Sequence, residues 1–181
     1  NVDATKLKLL AFASERMTFP AQTELFHQGD TADAAYVIFR NLGFSTGSTV
    51  SYANTALELH NCSDIQLEGC YFDVRNQFDL GLHISGGSRE ITVYGNSYKC
   101  TSTRAGALTV SGQPTRDVQI SGNTIAGPSE WGYVSLRLIE GCSRVSVTDN
   151  VIRDCFRAIH LKTTDSVMVQ ANTITNANDA I

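Results

Sequence analysis

The feature that most constrains this chain is one eight-residue pattern that returns at nearly constant spacing. Ile65–Phe72, Ile91–Tyr98, Val118–Ile125, Val145–Ile152 and Val167–Ile174 each read apolar, x, apolar, two turn residues, Asn, x, apolar, with Cys70 in the Asn place of the first copy. Their starts lie 26, 27, 27 and 22 residues apart, and Val37–Phe44 is a looser copy 28 residues upstream. A period of this length marks a solenoid, in which each repeat is one unit that must stack on its neighbours to bury its apolar side. Between copies lies a second alternating segment: Leu57-Glu58-Leu59, Leu82-His83-Ile84, Leu108-Thr109-Val110, Val134-Ser135-Leu136 and Ile159-His160-Leu161. Strict alternation sends one side chain inward and the next outward, so each repeat holds three short strands separated by turns.

Asn96, Asn123, Asn150 and Asn172 each stand five residues past an apolar strand start. In stacked coils these asparagines fall at one bend. There an Asn is expected to take the left-handed backbone conformation and to bond through its amide to the Asn above and below. The expected fold is all-β, a right-handed parallel β-helix of five to six coils over residues 37–181. Residues 1–36 form a separate lead-in. Leu7, Leu10, Ala11, Ser14 and Met17 have helical spacing behind Asp3 or Thr5 as a cap, although Lys6–Leu9 could equally begin a strand. A helix closing the open end of the solenoid is preferred, because a bare terminal coil exposes core and strand edges. At the other end Ala180-Ile181 matches the start of a further first strand, so the solenoid is expected to be cut mid-coil.

Composition agrees with one domain: 181 residues, 42% hydrophobic, with 14 glycines for turns and only 3 prolines. A net charge of −4 gives no reason to expect nucleic acid, and the longest apolar run, Leu9–Ala13, is too short to insert in a bilayer. Five cysteines are an odd number; Cys62 and Cys142 fall in equivalent turns three coils apart and Cys100 and Cys155 lie two coils apart, so free thiols are expected, which fits assembly in a reducing compartment.

From about Val37 to Ile181 the repeat and its Asn column resemble the pectate-lyase-like superfamily of right-handed β-helices, which includes phage tailspikes and polysaccharide-active enzymes. The resemblance implies that the Asn bend lies between second and third strands, so the Leu57, Leu82, Leu108, Val134 and Ile159 segments are first strands. It also implies that sugars bind along the outer face of that strand, and by analogy an extracellular or virion-surface location. Its motifs are specific for fold, not activity. The catalytic signatures of polygalacturonases, pectate lyases and Asp-Pro-His epimerases are absent, as are zinc, phosphate-loop and calcium-repeat motifs. No cofactor or metal is expected.

On that outer face three columns are expected: Ala56, Gly81, Ala107, Tyr133 and Ala158; Glu58, His83, Thr109, Ser135 and His160; His60, Ser85, Ser111, Arg137 and Lys162. Each histidine alone reads most simply as a solvated surface residue. Together, Glu58, His83 and His60 suggest a proton-transfer cluster. Arg137, Lys162 and His160 form a cationic patch able to hold a uronate or sialate carboxylate, or else two solvated cations beside polar turns. Loops leading into the first strands add Asp73, Asp79, Arg104, Glu130, Trp131 and Asp154 as groove candidates. Trp131 would either stack on a sugar ring or pack over the coil edge. Glu58 with Asp73 or Asp79, and Glu130 with Asp154, could meet the roughly 5–9 Å separation of glycosidase carboxyls. The expected function is polysaccharide or surface-glycan recognition with or without cleavage, by a lyase or a glycoside hydrolase. The competing expectation is a structural or adhesive stalk, with trimerisation as the partner interaction.

Overall fold

A computed structural model describes residues 37–45, 55–75, 80–101, 106–128 and 132–181. The expected N-terminal helix lies outside them, as do Asp79, Arg104, Glu130 and Trp131. Among the described residues sixteen strands run in chain order: β1 (Val37–Arg40), β2 (Gly43–Ser45), β3 (Thr55–His60), β4 (Ser63–Glu68), β5 (Tyr71–Val74), β6 (Leu80–Ser85), β7 (Arg89–Tyr94) and β8 (Ser97–Cys100). There follow β9 (Gly106–Ser111), β10 (Arg116–Ser121), β11 (Thr124–Ala126), β12 (Val134–Ile139), β13 (Ser143–Thr148), β14 (Val151–Lys162), β15 (Asp165–Gln170) and β16 (Thr173–Asp179).

All pairings are parallel. The second strands stack in the order β1-β4-β7-β10-β13-β15, with Ile65, Ile91, Val118, Val145 and Val167 in one vertical row. Third strands stack as β2-β5-β8-β11-β14 and first strands as β3-β6-β9-β12-β14. The twelve-residue β14 serves as third strand of one coil and first strand of the next, which fuses the two ladders into one sheet. The result is the expected right-handed parallel β-helix, about five coils long.

The core fills from apolar side chains stacked in vertical rows. Phe44, Phe72 and Tyr98 stack face to face, with centroids 5.0 and 4.5 Å apart, and Ile125 and Ile152 continue the row. Burying an aromatic or branched side chain contributes on the order of 1.5–3 kcal/mol, and the interior coils each bury several.

The Asn column is in vertical register and saturates its hydrogen bonds. Asn123 Nδ2 donates to Val93 O (3.0 Å) and Asn150 Oδ1 (2.9 Å), and its Oδ1 accepts from Asn96 N (2.9 Å) and Nδ2 (3.0 Å). Asn96 and Asn150 repeat the arrangement, and Asn96 Oδ1 also receives the Cys70 amide (2.8 Å). One expectation is corrected. The left-handed conformation belongs to the residue before each Asn: Asn41 before Leu42, then Gly69, Gly95, Gly122, Asp149 and Ala171, with φ between 54° and 66°. Turning the chain one residue earlier frees the Asn to keep an ordinary backbone while its amide spans adjacent coils. A second left-handed row, Asp64, Glu90, Asp117, Arg144 and Ser166, sits at the start of the second strands. There the ladder skips one residue, so every coil bulges at the same level and stacking is preserved.

Candidate active face on the first strands

The first-strand ladder sets which outward groups become neighbours. Glu58 pairs with His83, His83 with Thr109, Thr109 with Arg137 and Arg137 with His160. The next column runs His60, Ser85, Ser111, Ile139 and Lys162. The expected columns were therefore two residues out of step in one coil. Ser135 lies level with Ala107 and Ala158, Arg137 moves from the third column to the second, and Ile139 takes its place. Val134-Ser135-Leu136-Arg137-Leu138 alternates without a break, and a shift of two residues leaves every side chain on its own face. Only the pairing of Leu136 with Leu108 and Ile159 fixes the level.

A second correction concerns access. The column of small residues is interior, not a floor open to ligand: Gly81, Ala107, Ser135 and Ala158 are all buried. A Cβ on Gly81 would meet Ala107 O, Val74 and Tyr98, because the chain turns a concave corner there. Tyr133 is wholly buried beside Gly127, so it cannot line a binding surface. Its phenol lies among Cys100, Ser135 and Cys155, and burial raises both its pKa and that of Cys100, the latter to about 12. The cysteines are free thiols, as expected.

Around His83 the face forms one connected network. His83 Nε2 lies 2.8 Å from Ser111 Oγ, and His83 Nδ1 lies 3.4 Å from Glu58 Oε1. Ser85 Oγ donates to Glu58 Oε1 at 3.4 Å and sits 3.1 Å from His60 Nδ1. Glu58 is half exposed, whereas His83 is 23% exposed. Burial lowers the His83 pKa, and the Glu58 charge opposes that shift in part. A neutral imidazole facing a carboxylate at Nδ1 must carry its proton there, since two acceptors would otherwise oppose each other. Nε2 is then the free acceptor toward the Ser111 hydroxyl. The expected Glu58–His83–His60 cluster is thus assembled, with Ser85 and Ser111 completing it. Ser111 had no visible claim in the sequence. Its position, two residues past the Thr109 that pairs with His83, is a diagonal contact that alternation alone does not single out.

Two coils further along, Arg137 is half-buried and has no ion pair or hydrogen bond among the described residues. Burial lowers its pKa. His160 pairs with it directly, and Lys162 stands in the adjoining column. Burial lowers the His160 pKa, and the charges of Arg157, Arg137 and Lys162 push the same way. Arg157 is neutralised by Asp179 at 3.0 Å.

The two other candidate carboxylates among the described residues, Asp73 and Asp154, have partners. Asp73 is bound by Arg75 (Nε–Oδ2 2.9 Å), and Asp154 by Arg153 (3.1 Å) and Asn176 Nδ2 (2.7 Å). Neither is joined to a second carboxyl group among the described residues. No group of three or more His, Cys, Asp or Glu among those residues could hold a metal ion. A shallow cleft of about 570 Å³, lined by Tyr71, Lys99, Thr124 and Arg153, lies along the third-strand ladder that also carries Asp73 and Asp154. Comparison with known proteins yields no match to any family model, any curated protein or any solved structure.

Proposed function

We propose that this chain recognises an acidic polysaccharide along the outer first-strand face, as members of the pectate-lyase-like superfamily do. One observation carries the reading: Arg137 is a half-buried guanidinium without a carboxylate among the described residues, set beside His160 and Lys162. A cation drawn partly out of water and left unpaired favours an incoming anion more than a solvated lysine would. Its planar fork suits a carboxylate held by two parallel hydrogen bonds. The parallel coils repeat about every 4.8 Å, so an extended polymer lying across them meets a new pair of side chains at each step. Fold resemblance alone is analogy, and a guanidinium without a carboxylate partner among the described residues adds the chemistry.

The reading commits to recognition. Glycosidic cleavage by a carboxyl pair gains no support from Asp73 or Asp154, whose charges are already matched. Calorimetry against uronate, sialate and neutral glycan polymers tests the proposal. Binding restricted to the acidic polymers, weakened about tenfold or more by Arg137→Gln and screened by salt, is the expected result. Equal affinity for neutral polymers, or none for any, refutes it and leaves the stalk reading. A second readout is the His160 titration by NMR. A bound carboxylate must raise the pKa that neighbouring cations hold down, and an unmoved titration argues against binding there.

A further inference from the structure

We infer that Ser111, His83 and Glu58 form a nucleophile–base–acid triad that removes ester-linked acyl groups from the polysaccharide held on this face. The choice of a sugar ester rests on the recognition proposed above, whereas the triad rests on its own geometry. The nucleophile-to-base contact is 2.8 Å and the base-to-carboxylate contact is 3.4 Å. The tautomer that satisfies both leaves Nε2 as acceptor for the serine proton, as nucleophilic catalysis requires. The acid arm is not isolated: the Ser85 hydroxyl, itself beside His60 Nδ1, reaches the same Glu58 oxygen. All three members come from successive first strands, so the backbone ladder sets their spacing without help from a loop. Secondary-structure elements hold such constellations more rigidly than loops do.

The chemistry balances with water as the only co-reactant. Ser111 Oγ attacks the acyl carbonyl carbon while its proton passes to His83 Nε2. The C–O bond to the sugar breaks, and the sugar oxygen takes that proton from His83, leaving an acyl-serine. Water then attacks the acyl carbon, giving its proton to His83. The Ser111 oxygen leaves, recovers the proton, and the carboxylic acid is released. Arg137, paired with Thr109 on the next coil and without an ion pair among the described residues, is the cation of this column available to the charge that develops on the carbonyl oxygen or to a neighbouring uronate. Glu58 acts through His83 and is a positioning residue.

The test uses the unaltered chain first. It is incubated with a fluorophosphonate probe, and the modified peptide is mapped by mass spectrometry. Turnover of 4-nitrophenyl acetate and of an O-acetylated uronate oligomer is followed in parallel. Covalent labelling at Ser111, with release of acetate from both esters, is expected. Ser111→Ala should abolish both while retaining glycan affinity. Glu58→Gln should slow turnover at least tenfold and move the acid limb of the pH–rate profile to lower pH, since it removes the charge that holds the His83 pKa up. A merely structural role for Glu58 would not move that limb. No labelling, or labelling at another serine, overturns the triad, and if glycan still binds the recognition proposal survives alone. Labelling at Ser111 with turnover of the nitrophenyl ester only overturns the polysaccharide assignment and leaves the triad standing.

Discussion

Replacing Asn123 by alanine is the most direct probe of what holds the coils in register. Its side chain is fully buried and makes four hydrogen bonds across three coils. Truncation removes the Asn96 amide's acceptor, and an orphaned buried N–H costs about 1–3 kcal/mol. The other three bonds are less costly, at roughly 0.5–1 kcal/mol each, because Asn96 Nδ2 keeps Leu67 O and Asn150 Oδ1 keeps the residue-123 amide. The sum is about 2.5–6 kcal/mol, a large share of the roughly 5–15 kcal/mol that a domain of this size commands. Urea denaturation followed by circular dichroism gives the value directly. Asn172→Ala, in the part-buried last coil, is the internal control and should cost about half as much. A loss under about 1 kcal/mol for Asn123→Ala, with the denaturant slope unchanged, would refute the idea that the amide column is a principal source of stability.

Three further outcomes are expected. Ala171 holds φ 55° at the level where three coils place Gly69, Gly95 and Gly122, so Ala171→Gly should stabilise the fold by about 0.5–1 kcal/mol, read as a rise in the thermal midpoint. Tyr133→Phe removes a buried hydroxyl that has no hydrogen-bond partner among the described residues; stability should stay within about 1 kcal/mol of the parent or improve, by the same urea assay. Burial lowers the His83 pKa, whereas in the unfolded chain it titrates near 6.5. Between those two values the unfolded chain binds more protons. Stability is therefore complete above about pH 6.5 and declines as pH falls through the folded value. His83→Gln should flatten that slope in denaturation midpoints measured from pH 5 to 8, and an unchanged slope would contradict the assigned environment.

The coil period, the three strands per coil and the Asn row were legible in the amino-acid order because each is a local consequence of alternation and turn chemistry. A strand that alternates over three residues cannot bury its apolar side alone, so repetition itself demands stacking. The Glu58–His83 neighbourhood was legible for the same reason: both stand at the same step of equivalent segments. What only the tertiary structure decided are quantities to which a period of two is blind. The placement of Arg137 beside His160 depends on a two-residue choice within Val134–Leu138, settled by packing of Leu136 between Leu108 and Ile159. The burial of Tyr133 follows from its packing against Gly127 and among Cys100, Ser135 and Cys155, which no one-dimensional pattern encodes. The approach of Ser111 to His83 runs diagonally between coils, where side-chain reach rather than sequence spacing determines the contact. Periodicity thus dictates the ladder, and three-dimensional packing dictates which of its outward-facing groups touch.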